Sequence, residues 1–131
     1  MKTPLDHAKA LLKKANNDLV AAQATFATGQ AMDMVCFHAQ QAVEKSLKAL
    51  LALHDIEYPW RHDLGELIEL AKPLAPVILS YEERVLSMTP FAVQVRYDTE
   101  FVPSSNKAQE ALKTATEVHA LARAVVESNS K

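Results

Sequence analysis

Apolar residues recur at Ala8, Leu11/Leu12, Ala15, Leu19, Ala22 and Phe26, in steps of three and four that line up on one face of a helix. The spacing predicts a first helix from about Pro4 to Thr28. Thr3, Pro4 and Asp6 supply a start and Gly29 a stop. Lys9, Lys13, Asn16, Asn17 and Gln23 fall on the opposite face. A second helix is expected from about Met32 to His54. At roughly 100° per residue, Val35, Cys36, Ala39, Ala42, Val43, Leu47, Ala49, Leu50 and Leu53 cover one broad side of it. Its far side carries His38, Gln41, Lys45 and Lys48 as a stripe, with Glu44 placed to pair with Lys48 four residues on. Two residues break the pattern. Phe37 projects toward the polar side, where a ring wants a second surface. Gln40 falls on the apolar side, where a buried amide needs partners.

Pro59 breaks the chain after the second helix. Asp63, with Glu66 three residues later, reads as the capped start of a third helix in "HDLGELIELA". Pro73 and Pro76 end it. Ser80 with Glu83 is a second capping-box candidate, opening "YEERVLSM", and Pro90 breaks or restarts the chain before "FAVQV". A last helix is expected from about Ser104 to Ser128, with Ala108, Leu112, Ala115, Val118, Leu121/Ala122 and Val125 at helical spacing. These elements predict an all-α fold: an antiparallel up-and-down four-helix bundle with a short extra helix. It forms one domain spanning residues 1–131.

Composition agrees. Only two of the 131 residues are Gly and nearly half are hydrophobic, which favours helices around a real core. The net charge of −2 argues against a protein that clamps nucleic acid over its whole surface. Cys36 is the only cysteine, so no internal disulfide and no Cys-based zinc cluster can form, and a core role suits it better than a reactive one. His7, His38, His54, His62 and His119 are scattered without metal-ligand spacing, so no metal and no cofactor are expected. The amphipathic, charged N-terminal segment is unlike a secretory signal, and no stretch approaches a membrane span. The expected setting is cytoplasmic.

Three polar groups are candidates for chemistry. The stripe His38, Gln41, Lys45 and Lys48 suits a nucleotide phosphate, with the structural alternative of a solvated helix face. Gln40 and Glu44 fit either a motif or bundle hydrogen bonds. His62-Asp63 joins an imidazole to a carboxylate, but sequence neighbours seldom face each other in that way, and a helix cap at Asp63 with His62 in the loop is the favoured reading. Arg96-Tyr97 offers a bidentate phosphate clamp and a stacking ring. The alternative there is a pairing of Arg96 with a helix carboxylate. Phe37, Tyr58 and Trp60 are aromatic enough to anchor an interface, and favour a homodimer.

"CFHAQQAVEKSLKALLALHDIEYPWRHDL", with "AKALLKKANNDLVAA" before it and "RY" at Arg96-Tyr97 after it, resembles the HEPN family (higher eukaryotes and prokaryotes nucleotide-binding domains). The resemblance implies a four-helix up-and-down bundle, often dimeric. It also implies work beside a minimal nucleotidyltransferase protein, in a two-component or toxin–antitoxin-like pair, with a nucleotide or RNA as ligand. Gln40, Gln41, Glu44 and Lys45 match the family motif. Some branches of the family are metal-independent ribonucleases that use an Arg, four to six residues, then a His. No arginine of this chain has that spacing: Arg61, Arg84, Arg96 and Arg123 all lack the His. A non-enzymatic binding module is therefore the leading expectation. The alternatives are a ribonuclease that joins Arg96 to a distant His, such as His38 or His62, and a purely structural oligomerisation element.

Overall fold

The computed structural model describes residues 1–58 and 63–129. Trp60 and His62, on which an interface anchor and a candidate base were placed, lie outside the described residues. The described chain is all-helical and built on three long helices: α1 (Pro4–Ala27), α2 (Met32–Leu53) and α6 (Ser105–Ser128). The fourth strut of the bundle is broken. It consists of α3 (Leu64–Ala71), a 3-10 turn (Pro76–Tyr81), α4 (Glu82–Leu86) and α5 (Phe91–Tyr97).

Local chemistry sets the helix ends. Thr3 Oγ1 accepts from the Asp6 N–H at 3.1 Å, and the Asp6 carboxylate accepts from the Thr3 N–H at 3.1 Å. This reciprocal box satisfies two otherwise orphan donors. The same bonds to Thr3 hold the Asp6 carboxyl below its ordinary value. Helix α2 stops in a Schellman arrangement. The Ile56 N–H reaches back to the Leu51 carbonyl (2.9 Å) and the Asp55 N–H to Ala52 (3.0 Å), with Asp55 at φ +54°. Ser104 caps α6 by accepting from the Lys107 N–H, and Asp63 caps α3 by accepting from the Gly65 N–H at 2.9 Å. The expected box at Ser80 and Glu83 does not form. Ser80 lies inside the 3-10 turn, its hydroxyl donates to the Val77 carbonyl, and α4 starts at Glu82 with no side-chain cap. The proline at 76 sets up that tighter turn and carries the chain past the point where Ser80 would have capped. "FAVQV" is helical, opening α5 behind Pro90.

The core is centred on α2, which packs most extensively against α1, next against α6, and also against α3 and α5. Leu47, Leu50, Leu51, Val35 and Val43 are fully buried on it, joined by Leu64, Leu67 and Ile68 of α3 and Val118 of α6. Each such side chain contributes on the order of 1.5–3 kcal/mol by leaving water. Lys72 ties the broken strut together, its ammonium 2.6 Å from both Glu69 and Glu82. Those two carboxylates raise its pKa.

Helices α1 and α6 are joined by a buried polar contact. His119 Nε2 lies 3.2 Å from the Leu12 carbonyl, so Nε2 carries the proton. Burial lowers the imidazole's pKa below 6.5; the Leu12 carbonyl opposes this and Arg123 adds to it. A depressed folded-state value means that the unfolded chain binds the proton more readily. This contribution to stability is therefore complete above the unfolded pKa of 6.5 and is lost as the pH falls from there through the folded value. Urea unfolding at pH about 8 and about 5.5 checks this. His119→Gln, which keeps a donor but cannot titrate, is expected to lose less stability on acidification than the parent; equal losses would refute the assignment.

Candidate functional site

The polar stripe of α2 meets a residue that the sequence reading passes over. Asp18 lies on the buried side of α1, three residues after Ala15 and four before Ala22. Its carboxylate is held from both sides: Oδ1 is 2.9 Å from His38 Nδ1, and Oδ2 accepts from Lys45 Nζ at 2.6 Å. The Asp18 side chain is 11% exposed and those of His38 and Lys45 about a quarter. The signal was present in the sequence as a carboxylate sitting in the apolar stripe of the first helix.

A second polar chain runs along α2 itself. Gln41 Nε2 donates to Gln40 Oε1 at 2.7 Å, Gln40 Nε2 donates to Glu44 Oε1 at 3.2 Å, and Lys48 Nζ donates to Glu44 Oε2 at 3.0 Å. Gln40 is fully buried and Glu44 nearly so, and each requires such partners in that position. The Lys48 ammonium also lies 5.2 Å from the centre of the Tyr58 ring, whose hydroxyl is 3.3 Å from His7 Nε2. The expected Glu44–Lys48 pair is present.

Arg96 reaches the same side of the molecule from α5. Its Nε and Nη2 donate to the Ala92 carbonyl at 3.0 and 2.8 Å. Its guanidinium lies 5.6 Å from the Phe37 ring centre and 5.4 Å from that of Tyr97. This resolves the Phe37 anomaly, since the ring is half-buried beneath a cation. Phe37 also meets the His38 ring edge-on at 5.4 Å. The structure thus places Lys45, Asp18, His38, Phe37, Arg96 and Tyr97 in one connected row. No carboxylate pairs with Arg96 among the described residues. Tyr97 is 71% exposed. Chemically, the row offers one exposed guanidinium between two rings, and an imidazole whose Nδ1 is oriented by a buried carboxylate.

Comparison with known families agrees with this architecture. The family model for the HEPN domain matches residues 8–125. The chain belongs to the HEPN domain family. Its fold is also similar to the crystal structure of TT1696 from Thermus thermophilus, with a TM-score of 0.79 and 24% identity over 91% of this chain and 98% of that one. No curated protein matches the chain. In this HEPN domain the motif residues Gln40, Gln41, Glu44 and Lys45 are all engaged in internal hydrogen bonds or ion pairs.

Other candidates are less suited to chemistry. Among the described residues no three His, Cys, Asp or Glu side chains gather to hold a metal ion, and no helix is long and apolar enough to cross a membrane. Burial pushes the Cys36 thiol up to about 11, which keeps it protonated and unreactive near neutral pH.

Removing the Asp18 carboxylate leaves Lys45 and His38 facing a site built for an anion. Asp18→Asn is expected to cost about 1–3 kcal/mol, toward the lower end because both partners keep some contact with water. Lys45→Gln should cost less. Chemical denaturation of both singles and the double variant should give a coupling of at least about 0.5 kcal/mol; additive effects would show that the pair adds nothing to stability.

Proposed function

We propose that this chain is a HEPN binding module that acts through the face shared by α2 and α5. It pairs with a second copy of itself, docks a minimal nucleotidyltransferase protein as one half of a two-component or toxin–antitoxin-like system, and receives a nucleotide along a groove lined by Arg96, Lys45 and Lys48. The observation that carries this reading is Arg96: an exposed guanidinium, fixed by the Ala92 carbonyl and two rings, with no carboxylate to neutralise it among the described residues. Fixed, planar cations of this kind suit bidentate recognition of phosphate or carboxylate. Exposed Met34 on α2, and Val93 and Tyr97 on α5, give the same helices apolar surface of the sort that anchors an interface. The absent Arg-to-His spacing favours binding over cleavage.

Affinity capture from native lysate, with mass spectrometry and light scattering, tests the module. The parent should run at about twice its 14.5 kDa mass and bring down a nucleotidyltransferase. Arg96→Ala combined with Tyr97→Ala should reduce that recovery at least about tenfold, as loss of a hot spot does. Capture of the chain alone would sink the proposal.

A second reading has its own observation. His38 and Arg96 both contact the Phe37 ring, which brings an imidazole near a free cation despite their separation in sequence. In a ribonuclease, His38 Nε2 would take the proton of a ribose 2′-hydroxyl as its oxygen attacks the adjacent phosphorus, the P–O5′ bond would break with the 5′-oxygen taking a proton from water, Asp18 would hold Nδ1, and Arg96 would offset charge gathering on the phosphoryl oxygens. RNA incubated with the purified protein in EDTA decides between the two. The binding-module reading expects no cleavage. Cleavage lost in both His38→Ala and Arg96→Ala would establish the enzyme instead.

A further inference from the structure

The carboxylate of Asp18 sits where an anion would. Lys45 and His38 lie about two turns apart on α2, yet both converge on that one group. Lys45 Nζ is 2.6 Å from Asp18 Oδ2, and His38 Nδ1 is 2.9 Å from Oδ1. A lysine and an imidazole N–H closing on a carboxylate form an anion site that already holds its anion. The occupant comes from inside the protein, because Asp18 belongs to the buried side of α1.

The two contacts differ in how readily they open. The Lys45 side chain is 28% exposed, and its ammonium rides on a flexible four-carbon stem. Ion pairs with such access to water are weak and exchange readily. A buried carboxylate with a single donor could not give it up, since the charge would be left bare. Asp18 has two donors, so when Lys45 turns away His38 Nδ1 still serves it. Lys48, the other lysine of the stripe, lacks this freedom. Its side chain is only 13% exposed, its ammonium is 3.0 Å from Glu44, and it lies 5.2 Å from the Tyr58 ring centre. Arg96 needs no release, having no carboxylate partner among the described residues.

We propose that Asp18 is an autoinhibitory carboxylate that holds Lys45 back from the α2–α5 groove until an anionic ligand displaces it. This role rests on the nucleotide groove proposed above and adds its regulation. The ligand lands first on Arg96, whose charge is uncompensated. Lys45 then turns from Asp18 to the ligand, while His38 keeps Asp18 satisfied and α1 joined to α2. An anion that does not engage Arg96 meets a lysine already occupied, so the groove rejects anions that lack the right shape.

Adenosine monophosphate, titrated into the full chain by calorimetry and followed by NMR of the lysine ammonium groups, tests this. Asp18→Asn keeps the shape of the residue and an acceptor for His38, but gives up the charge that holds Lys45. It should bind the nucleotide at least about threefold more tightly than the parent, because the competent state no longer has to be released first. Adding Lys45→Gln to Asp18→Asn should abolish that gain. A carboxylate with a structural role alone predicts the opposite sign, equal or weaker binding. In the parent itself the Lys45 ammonium resonance should shift at saturating nucleotide, a readout that does not depend on the variant folding. An unmoved Lys45 signal at saturation overturns the proposal. If Arg96→Ala weakens binding at least about tenfold while Asp18→Asn fails to strengthen it, the groove stands and the autoinhibition is wrong. If binding ignores Arg96→Ala, or neither parent nor Asp18→Asn binds the nucleotide, the groove itself is wrong and the autoinhibition falls with it.

Discussion

Helix α2 is surrounded, and that constraint organises the rest of the molecule. Thirteen of its 22 residues are buried, because α1, α6, α3 and α5 all pack against it. A helix in that position has almost no solvent with which to satisfy polar side chains. A buried donor or acceptor left unmade costs on the order of 1–3 kcal/mol, so the long polar side chains of α2 find partners inside the protein, and among the described residues of the helix the Ser46 hydroxyl is buried without one. Gln40 and Glu44 therefore bond to each other, and Gln41 and Lys48 complete the chain at its ends. Lys45 and His38 reach across to Asp18 on the neighbouring helix. The dense polar cluster in an otherwise greasy helix is first a solution to its own burial.

That solution changes what the stripe has left to offer a ligand. Lys45, Lys48 and His38 all have carboxylate partners, so an incoming phosphate must compete with Asp18 and Glu44 for them. Arg96 has no such competitor among the described residues. Its donors go to a backbone carbonyl, which carries only a partial charge and leaves the guanidinium's full charge uncompensated. The row from Lys45 to Tyr97 is therefore graded. One end is internally balanced and holds α1 to α2, while the other end faces solvent with its charge intact. Function on this face is expected to centre on α5, with the α2 stripe giving the rigid base.

Sequence periodicity was enough to locate the three long helices, because each has a long apolar stripe, and Thr3 and Ser104 cap the first and the last of them. It also exposed Phe37 and Gln40 as misfits, and both turned out to mark the polar rows. Asp18 escaped notice because its role depends on α1 and α2 lying side by side. No one-helix pattern shows that a carboxylate in a stripe will meet a lysine 27 residues away. The Ser80 box failed for a related reason: its residues have the right spacing, but Pro76 had already committed the chain to a tighter turn.

The breaks in that strut have a structural consequence. A continuous fourth helix would carry its side chains along one line, parallel to the bundle. Broken into short pieces, it turns α5 so that Phe91 and Ala92 enter the core while Val93, Arg96 and Tyr97 face outward. Among the described residues α2 is the only helix that α5 packs against extensively, so α5 is anchored at its N-terminal end and on one side. Elements with few buried contacts open locally at lower free energy than the core they rest on. Arg96 thus sits on an element packed from one side, which leaves its outer face open to a partner. Phe37 and the Ala92 carbonyl fix its direction without burying its charge.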